Sequence, residues 1–419
     1  MEIDLVVVGQ GYVGLPLAHQ AVESGFSVVG LDLNQKAVES LNSGSSHVDD
    51  ISDDQVAGMI SRGYRATSDP DCLSAAANIV ICVPTPLGEA GSPDLSAVEG
   101  AIRDILTRVK KGALVVLEST TYPGTTDEVL LPILQSTGLL IDRDFYLAFS
   151  PERIDPGNQL FGIKNTPKVV GGVSSASTER AVDFYRKIVD SVVPVRGSKE
   201  AETAKLLENT YRHINIALVN EMSKFCKELD IDLWDVIDAA KTKPFGFQAF
   251  YPGPGVGGHC IPIDPNYLSF HVRKSLKYPF RFVELAEEIN NSMPSYIVSR
   301  VQALLNQQKM SVNGSRILLL GVTYKANIAD QRESPSTEIA NLLTGMGANV
   351  SYHDPYVPEW TSPEIRMSRV DDVYQANSEA DIVVLLQAHS DYDIPRLGTE
   401  SGVFFDTRGA SDGVNTHRL

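Results

Sequence analysis

The chain opens on a short unbroken apolar run, Leu5-Val6-Val7-Val8, which predicts a strand buried on both faces of a parallel sheet. It leads into Gly9-Gln10-Gly11-Tyr12-Val13-Gly14, a helical stretch through Val22, and a second apolar run over 27–32 that ends in Asp32. Strand, glycine turn, helix and strand in that order predict a βαβ unit. Further buried strands are predicted at 78–83, 113–117 and 145–149, and their alternation with helical segments predicts a doubly wound domain. From Glu200 to Leu229 the period becomes that of one long helix. Ala204, Leu207, Tyr211, Ile214, Leu218, Met222, Phe225 and Leu229 recur every three or four residues as an apolar stripe. A second helix is predicted from Phe282 to Leu305, interrupted near Pro294. The last third repeats the opening plan: 316–321 matches the first strand and its turn, and 348–354 the second strand with its terminal Asp. Likewise 379–386 parallels 76–82, and 402–406 parallels 112–117. The expected fold class is α/β, with two Rossmann-like doubly wound domains joined by a long central helical layer. The expected domains are 1–196, 197–306 and 307–419.

Composition adds limits. The 419 residues are 43% hydrophobic and 21% charged, ordinary values for a globular protein of two or three domains. A net charge of −17 argues against nucleic acid or an anionic membrane as partner. No apolar run approaches the roughly 18 residues of a membrane span, and Met1-Glu2-Ile3-Asp4 lacks the basic start of a signal peptide. Cys72, Cys82, Cys226 and Cys260 have neither metal-ligand spacing nor a disulfide framework, so no metal is expected and the expected compartment is the cytoplasm.

The glycine turn carries the first chemistry. Gly9 permits the tight turn, Gly11 admits a pyrophosphate close to the backbone, and Gly14 allows helix and strand to pack. The helix N-terminus favours the anion. Asp32 would accept bonds from the ribose hydroxyls and repel a 2′-phosphate, which selects NAD over NADP, although Lys36 weakens that preference. None of the fifteen tyrosines has Lys four residues later, which removes the Tyr/Lys acid–base pair of the short-chain nucleotide-sugar enzymes.

Two further features point to catalysis. Lys205, Asn209 and Arg212/His213 share one face of the long helix. Lys205 would stabilise an alkoxide or take a proton, and Asn209 would hold a water or an oxyanion. The second is the loop over 251–265, whose four glycines and four prolines exclude helix and central strand. Beginning at Tyr251, it removes side chains at Gly257 and Gly258, then presents Cys260 with Asp264 four residues on. That arrangement displays a thiol nucleophile; a buried structural cysteine is the alternative reading.

Taken together these segments resemble the UDP-sugar 6-dehydrogenase family over essentially the whole chain. The resemblance rests on the glycine turn, Val83-Pro84-Thr85-Pro86, Ser119-Thr120-Thr121-Tyr122-Pro123-Gly124-Thr125, Ser150-Pro151-Glu152-Arg153, Lys205 with Asn209, Gly257-Gly258-His259-Cys260 through Asp264, and Tyr324-Lys325 through Arg332-Glu333-Ser334. It implies a homodimer built on the central helix. It also implies a four-electron oxidation of a C6 alcohol to a carboxylate with two NAD. Lys205, Asn209 and Asp264 would assist proton movement, Cys260 would form a thiohemiacetal and then a thioester, and Glu152 and Thr121 would activate water. Cofactor-contacting positions would be Gly9, Gly11, Tyr12, Val13, Gly14, Asp32, Lys36, Thr85 and Thr121, with Arg332 from the second domain. Substrate-contacting positions would be Arg153, Ile154, Lys205, Asn209, Arg212, Tyr251, Gly257 and Lys325. The combination Pro151-Glu152-Arg153-Ile154, Pro156-Gly157-Asn158, Arg212-His213 and His259 resembles the branch acting on N-acetylated sugars. Within it, 243–247 and 281–290 look most like UDP-N-acetylglucosamine 6-dehydrogenases, with UDP-N-acetylgalactosamine, UDP-N-acetylmannosamine and UDP-glucose as alternatives. The family's partner-subunit arginine has no arginine counterpart here, and Lys243 is the candidate replacement. A non-catalytic nucleotide-sugar sensor is disfavoured by the joint presence of Cys260, Lys205, Asn209 and Asp264; a two-electron dehydrogenase would leave Cys260 idle.

Overall fold

The computed structural model describes residues 3–48, 50–86, 88, 92–154, 158, 160–258, 261, 263–360 and 367–419. The chain divides into two compact units. One comprises 1–208 with 266–278, and the other 209–265 with 279–419.

The first unit holds eight strands: β1 (Ile3–Val8), β2 (Val28–Leu31), β3 (Arg65–Thr67), β4 (Ala76–Ile81), β5 (Ala113–Leu117), β6 (Phe145–Phe149), β7 (Lys168–Gly172) and β8 (Val192–Pro194). Their order is β3-β2-β1-β4-β5-β6-β7-β8, and only the β6–β7 pair is antiparallel. The apolar runs are unbroken because both faces are covered. Leu5 and Val7 join one core layer, and Val6 and Val8 the opposite one. Each such side chain fully removed from water contributes roughly 1.5–3 kcal/mol. The order reverses between β1 and β4, which opens a crevice at the carboxyl ends of the strands where α/β sheets bind ligands.

The second unit repeats the plan with β9 (Arg316–Leu320), β10 (Asn349–His353), β11 (Ser368–Arg369), β12 (Ile382–Leu385), β13 (Phe404–Asp406) and β14 (Thr416–Arg418). These form an all-parallel sheet in the order β11-β10-β9-β12-β13-β14. The internal repeat read from the strands is therefore a repeat of topology.

Two helices depart from expectation. The helix Arg281–Gln307 runs without interruption through a buried Pro294. A proline in a helix interior removes one hydrogen bond and crowds the carbonyl of residue i−4, here Asn290; burial of Val283, Ala286, Met293, Ile297 and Val301 offsets that loss. The helix Ser198–Glu228 turns its apolar stripe outward: Leu207, Tyr211, Leu218 and Phe225 are 64%, 47%, 53% and 45% exposed. Its buried positions combine Glu202, Lys205, Asn209, His213, Asn220 and Ser223 with the apolar Ala201, Leu206, Ala217, Val219 and Cys226.

Candidate active site

The glycine turn joins β1 to the helix Gly14–Glu23. Gly9 has φ +91°, and a Cβ there would meet the Cys82 carbonyl at 2.6 Å; a Cβ on Gly14 would stand 1.8 Å from the Gly9 carbonyl. A Cβ on Gly11 would meet nothing within 4 Å. Two glycines are thus required by protein packing, and the third leaves backbone accessible from outside. Beneath the turn, buried Gln10 donates to Val7 O and Gly9 O and accepts from the Tyr64 hydroxyl at 2.8 Å. Its backbone N–H donates to Asp32 Oδ2 at 2.7 Å, and Asn34 N–H to Oδ1 at 2.8 Å. Tyr12 is exposed and Val13 half-buried at the helix start, and Lys36 is exposed on the helix Gln35–Asn42. The groups present suit a dinucleotide: an open glycine, a helix N-terminus and a carboxylate fixed by two backbone donors.

At the ends of β4 and β5 stand two further expected residues. Thr85 is buried, and its carbonyl accepts from the hydroxyl of Tyr267 on the helix Asp264–Leu276. Thr121 is buried, with its hydroxyl 2.5 Å from that of Thr125. This threonine loop is held by Glu202, which accepts from Gly124 N (2.5 Å), Thr126 N (2.9 Å) and Thr126 Oγ1 (2.7 Å). Burial pushes the Glu202 carboxyl up to about 7 against those donors.

Glu152 follows β6. One of its oxygens accepts from Ile154 N–H at 2.5 Å; the other lies 3.6 Å from the ammonium of buried Lys168. Lys168 also pairs with Glu118 at 2.9 Å, and Glu118 accepts from the Tyr185 hydroxyl. Burial, together with the charge of Glu152, drives the Glu118 carboxyl upward against Lys168. Burial pulls the Lys168 ammonium down, but Glu118 and Glu152 outweigh it and leave it raised. Lys205 donates to the Glu152 carbonyl at 2.5 Å. Arg153 forks onto Glu208 and donates to Pro167 O.

In the second unit, Asn209 donates to Asp264 Oδ2 at 2.5 Å, and both are buried. His213 is buried too and bonded to Asn290; burial lowers it to about 4, so it is neutral. Arg212, one residue earlier, turns to solvent, so of the pair only His213 lies on the buried face. Asn290 accepts from Asn220, which in turn accepts from Gly253 N at 2.9 Å and so fixes the start of the glycine–proline loop. Further along, Gly258 N donates to Arg332 O at 3.0 Å. A Cβ on Gly257 would stand 2.6 Å from Glu333 O, and one on Gly258 2.7 Å from the Tyr324 ring. The neighbour that these glycines admit is protein backbone and ring. His259, Cys260, Pro262, Pro156 and Gly157 lie outside the described residues. The Tyr251 hydroxyl donates to Asp238 on the surface, Arg332 forks onto Asp330, and Lys325 is half-buried.

The crevice of the second unit repeats the first with one change. A Cβ on Gly321 would meet Gln387 O at 2.4 Å, and Val322 N donates to Asp354 at 2.7 Å, as Gln10 N does to Asp32. Here, however, His389 fills the place. Its Nδ1 accepts from Asn327 N, so Nε2 carries the proton and lies 3.0 Å from Asp354 Oδ2. The second carboxylate is spent inside the protein.

Glu118, Lys168, Glu202, Tyr267 and a half-buried Arg408, whose guanidinium burial lowers to about 10, did not emerge from sequence reasoning. Glu202 had a signal, since it precedes Lys205 by three residues on the same helix face. Among the described residues, no cluster of His, Cys, Asp and Glu is arranged to hold a metal, and no helix is long and apolar enough to cross a membrane.

Family models match three consecutive regions: the NAD-binding domain of the UDP-glucose/GDP-mannose dehydrogenase family over 3–189, its central domain over 199–292, and its UDP-binding domain over 318–413. A UDP-N-acetyl-D-glucosamine 6-dehydrogenase of Pseudomonas aeruginosa is 35% identical over 423 residues, covering 97% of each chain. A UDP-N-acetyl-D-mannosamine dehydrogenase of Methanococcus maripaludis is 35% identical over 394 residues, covering 92% of this chain and 86% of its own. The solved structure of a UDP-D-ManNAc dehydrogenase from Pyrococcus horikoshii superposes with a TM-score of 0.89 at 30% identity, over 100% of this chain and 99% of that one.

Proposed function

This chain belongs to the UDP-glucose/GDP-mannose dehydrogenase family and is an NAD-dependent UDP-sugar dehydrogenase; from that premise we propose that it oxidises the C6 hydroxyl of a UDP-N-acetylhexosamine, foremost UDP-N-acetylglucosamine, to the carboxylate. The turn over Gly9, Gly11 and Gly14, with Asp32, would hold NAD, which when bound would supply the acceptor for each hydride. Lys205 takes the hydroxyl proton and steadies the alkoxide as C6 becomes an aldehyde, with Asn209 and Asp264 holding the water that shares that proton. An aldehyde has no ready second hydride to lose until a nucleophile makes it tetrahedral. The Cys260 thiolate therefore bonds to C6 and the carbonyl oxygen takes a proton, giving a thiohemiacetal whose oxidation leaves a thioester. Water then adds to C6 and gives its proton to Glu152, while the C–S bond breaks and its electron pair leaves on sulfur. One alcohol, two NAD and one water give one carboxylate, two NADH and three protons.

The observation that carries this reading is on the long helix: Lys205 and Asn209 are buried while Leu207 and Leu218, on its apolar stripe, are exposed. Folding alone favours the opposite, since a buried charge costs several kcal/mol and an exposed Leu forgoes roughly 1.5–3 kcal/mol. We assign the outward stripe to a second copy of the chain, which makes the enzyme a homodimer. The free thiols of Cys72, Cys82 and Cys226 fit a cytoplasmic location.

The substrate test is a panel of UDP-N-acetylglucosamine, UDP-N-acetylgalactosamine, UDP-N-acetylmannosamine and UDP-glucose, followed by NADH absorbance. The highest kcat/KM is expected with UDP-N-acetylglucosamine. A maximum with UDP-N-acetylmannosamine would support a second reading, favoured by the names of the archaeal relatives. A maximum with UDP-glucose would contradict the N-acetyl assignment.

A further inference from the structure

The buried cluster of Glu118, Lys168 and Tyr185 takes no part in the chemistry above, yet it adjoins Glu152. Lys168 arrives there through topology. The antiparallel register pairs Ala148 with Gly172 and Phe149 with Gly171, so β7 starts, at Lys168, beyond the carboxyl end of β6, where the chain runs on to Glu152. A β7 parallel to β6 would have put its first residue at the opposite, amino-terminal end of the strands. A lysine at the start of a buried strand needs a partner, and here it has two carboxylates, Glu118 at 2.9 Å and Glu152 at 3.6 Å. Glu118 in turn sits at the end of the wholly buried β5 and is fixed from behind by the Tyr185 hydroxyl. One Glu152 oxygen is thereby held toward the ammonium, while the other accepts from Ile154 N–H. If core stability were the sole purpose, an apolar trio would serve as well or better, because buried ion pairs seldom repay their desolvation.

We propose that Lys168 is a positioning residue for Glu152, and that Glu118, by sharing the same ammonium, keeps that ion pair loose enough for Glu152 to accept a proton from water. This rests on the reading of Glu152 as the base of thioester hydrolysis. Neither Lys168 nor Glu118 touches the sugar in this account, so oxidation to the thioester is unaffected and only hydrolysis responds.

The test uses the full-length enzyme with NAD and whichever UDP-sugar of the panel the wild type oxidises. Mixtures are quenched during turnover, intact protein is weighed by mass spectrometry, and the first NADH formed is followed by stopped flow. Lys168→Met is expected to form the first NADH at the wild-type rate, to lose at least about tenfold in steady-state rate, with the roughly 10²- to 10⁴-fold that a positioned base supplies as the ceiling, and to accumulate the enzyme–acyl adduct. Glu118→Gln lets Lys168 bind Glu152 alone and is expected to accumulate the same adduct with a smaller loss; it decides the matter if Lys168→Met does not fold. Glu152→Gln is the control. If it accumulates adduct and the other two do not, or if they slow the first NADH as much as turnover, the positioning role is wrong. If Glu152→Gln itself yields no adduct, the reading of Glu152 as base fails, and the proposal with it.

Discussion

Glu202 illustrates how one buried carboxylate serves a neighbouring residue. With Ser198 bonded to Asp127 and Lys199 to Glu128, it fastens the first turns of the long helix to the loop that carries Thr121. Its carboxyl stands at about 7 in the fold against 4.5 ordinarily, with burial as the main cause. A raised carboxyl means that the folded state binds more protons than the unfolded one between those values, so this group's contribution to stability falls as pH rises from about 4.5 to about 7. Thermal melts of wild type and Glu202→Gln over that range should show the wild type gaining on the variant as pH is lowered; parallel curves would count against the assignment. At this scale the sequence was legible where a backbone demand is local. Gly9, Gly14 and Asp32 sit within one βαβ unit and answer to the same turn. Glu118 and Lys168 lie fifty residues apart and meet only through the antiparallel β7, which no periodicity announces.

The helices teach a different lesson. Periodicity located the helix Ser198–Glu228 to within a few residues and identified its apolar stripe, but it could not say which face a single chain buries. Leu207, Tyr211, Ile214, Leu218, Met222, Phe225 and Leu229 follow the three-and-four spacing of a helix seam. Solvent is a poor partner for such a seam; a second copy of the same helix is a good one. Leu218→Glu combined with Phe225→Glu should convert a dimer into a monomer, read by light scattering after size exclusion, with the far-ultraviolet spectrum unchanged. A wild-type monomer would remove the assignment. Pro294 makes the converse point: a residue that breaks helices in isolation is carried through Arg281–Gln307 by burial on both sides of it.

At the scale of the molecule, the central parallel strands of both sheets and the repeat of their plan were legible, because buried parallel strands leave unbroken apolar runs; β3, β7, β8, β11 and β14, short or at the sheet margins, were not. The missing glycines of Gly321-Val322-Thr323-Tyr324-Lys325 already set the second half apart from the first, but the fate of its carboxylate was not legible. Asp354 and Asp32 look equivalent in sequence, and only the fold shows His389 against the former while the latter faces outward from two backbone donors. The net charge of −17 gives anionic ligands an unfavourable field, so the basic groups near the strand ends have to act locally. The central claim is that a buried Lys205 and Asn209 serve a thiol at Cys260 in a four-electron oxidation. The most direct measurement is the NADH formed per UDP-sugar consumed to completion with NAD in excess. The account predicts two, with uronate as product and none from Cys260→Ala; a value of one with an aldehyde product, or unchanged uronate from that variant, would contradict it.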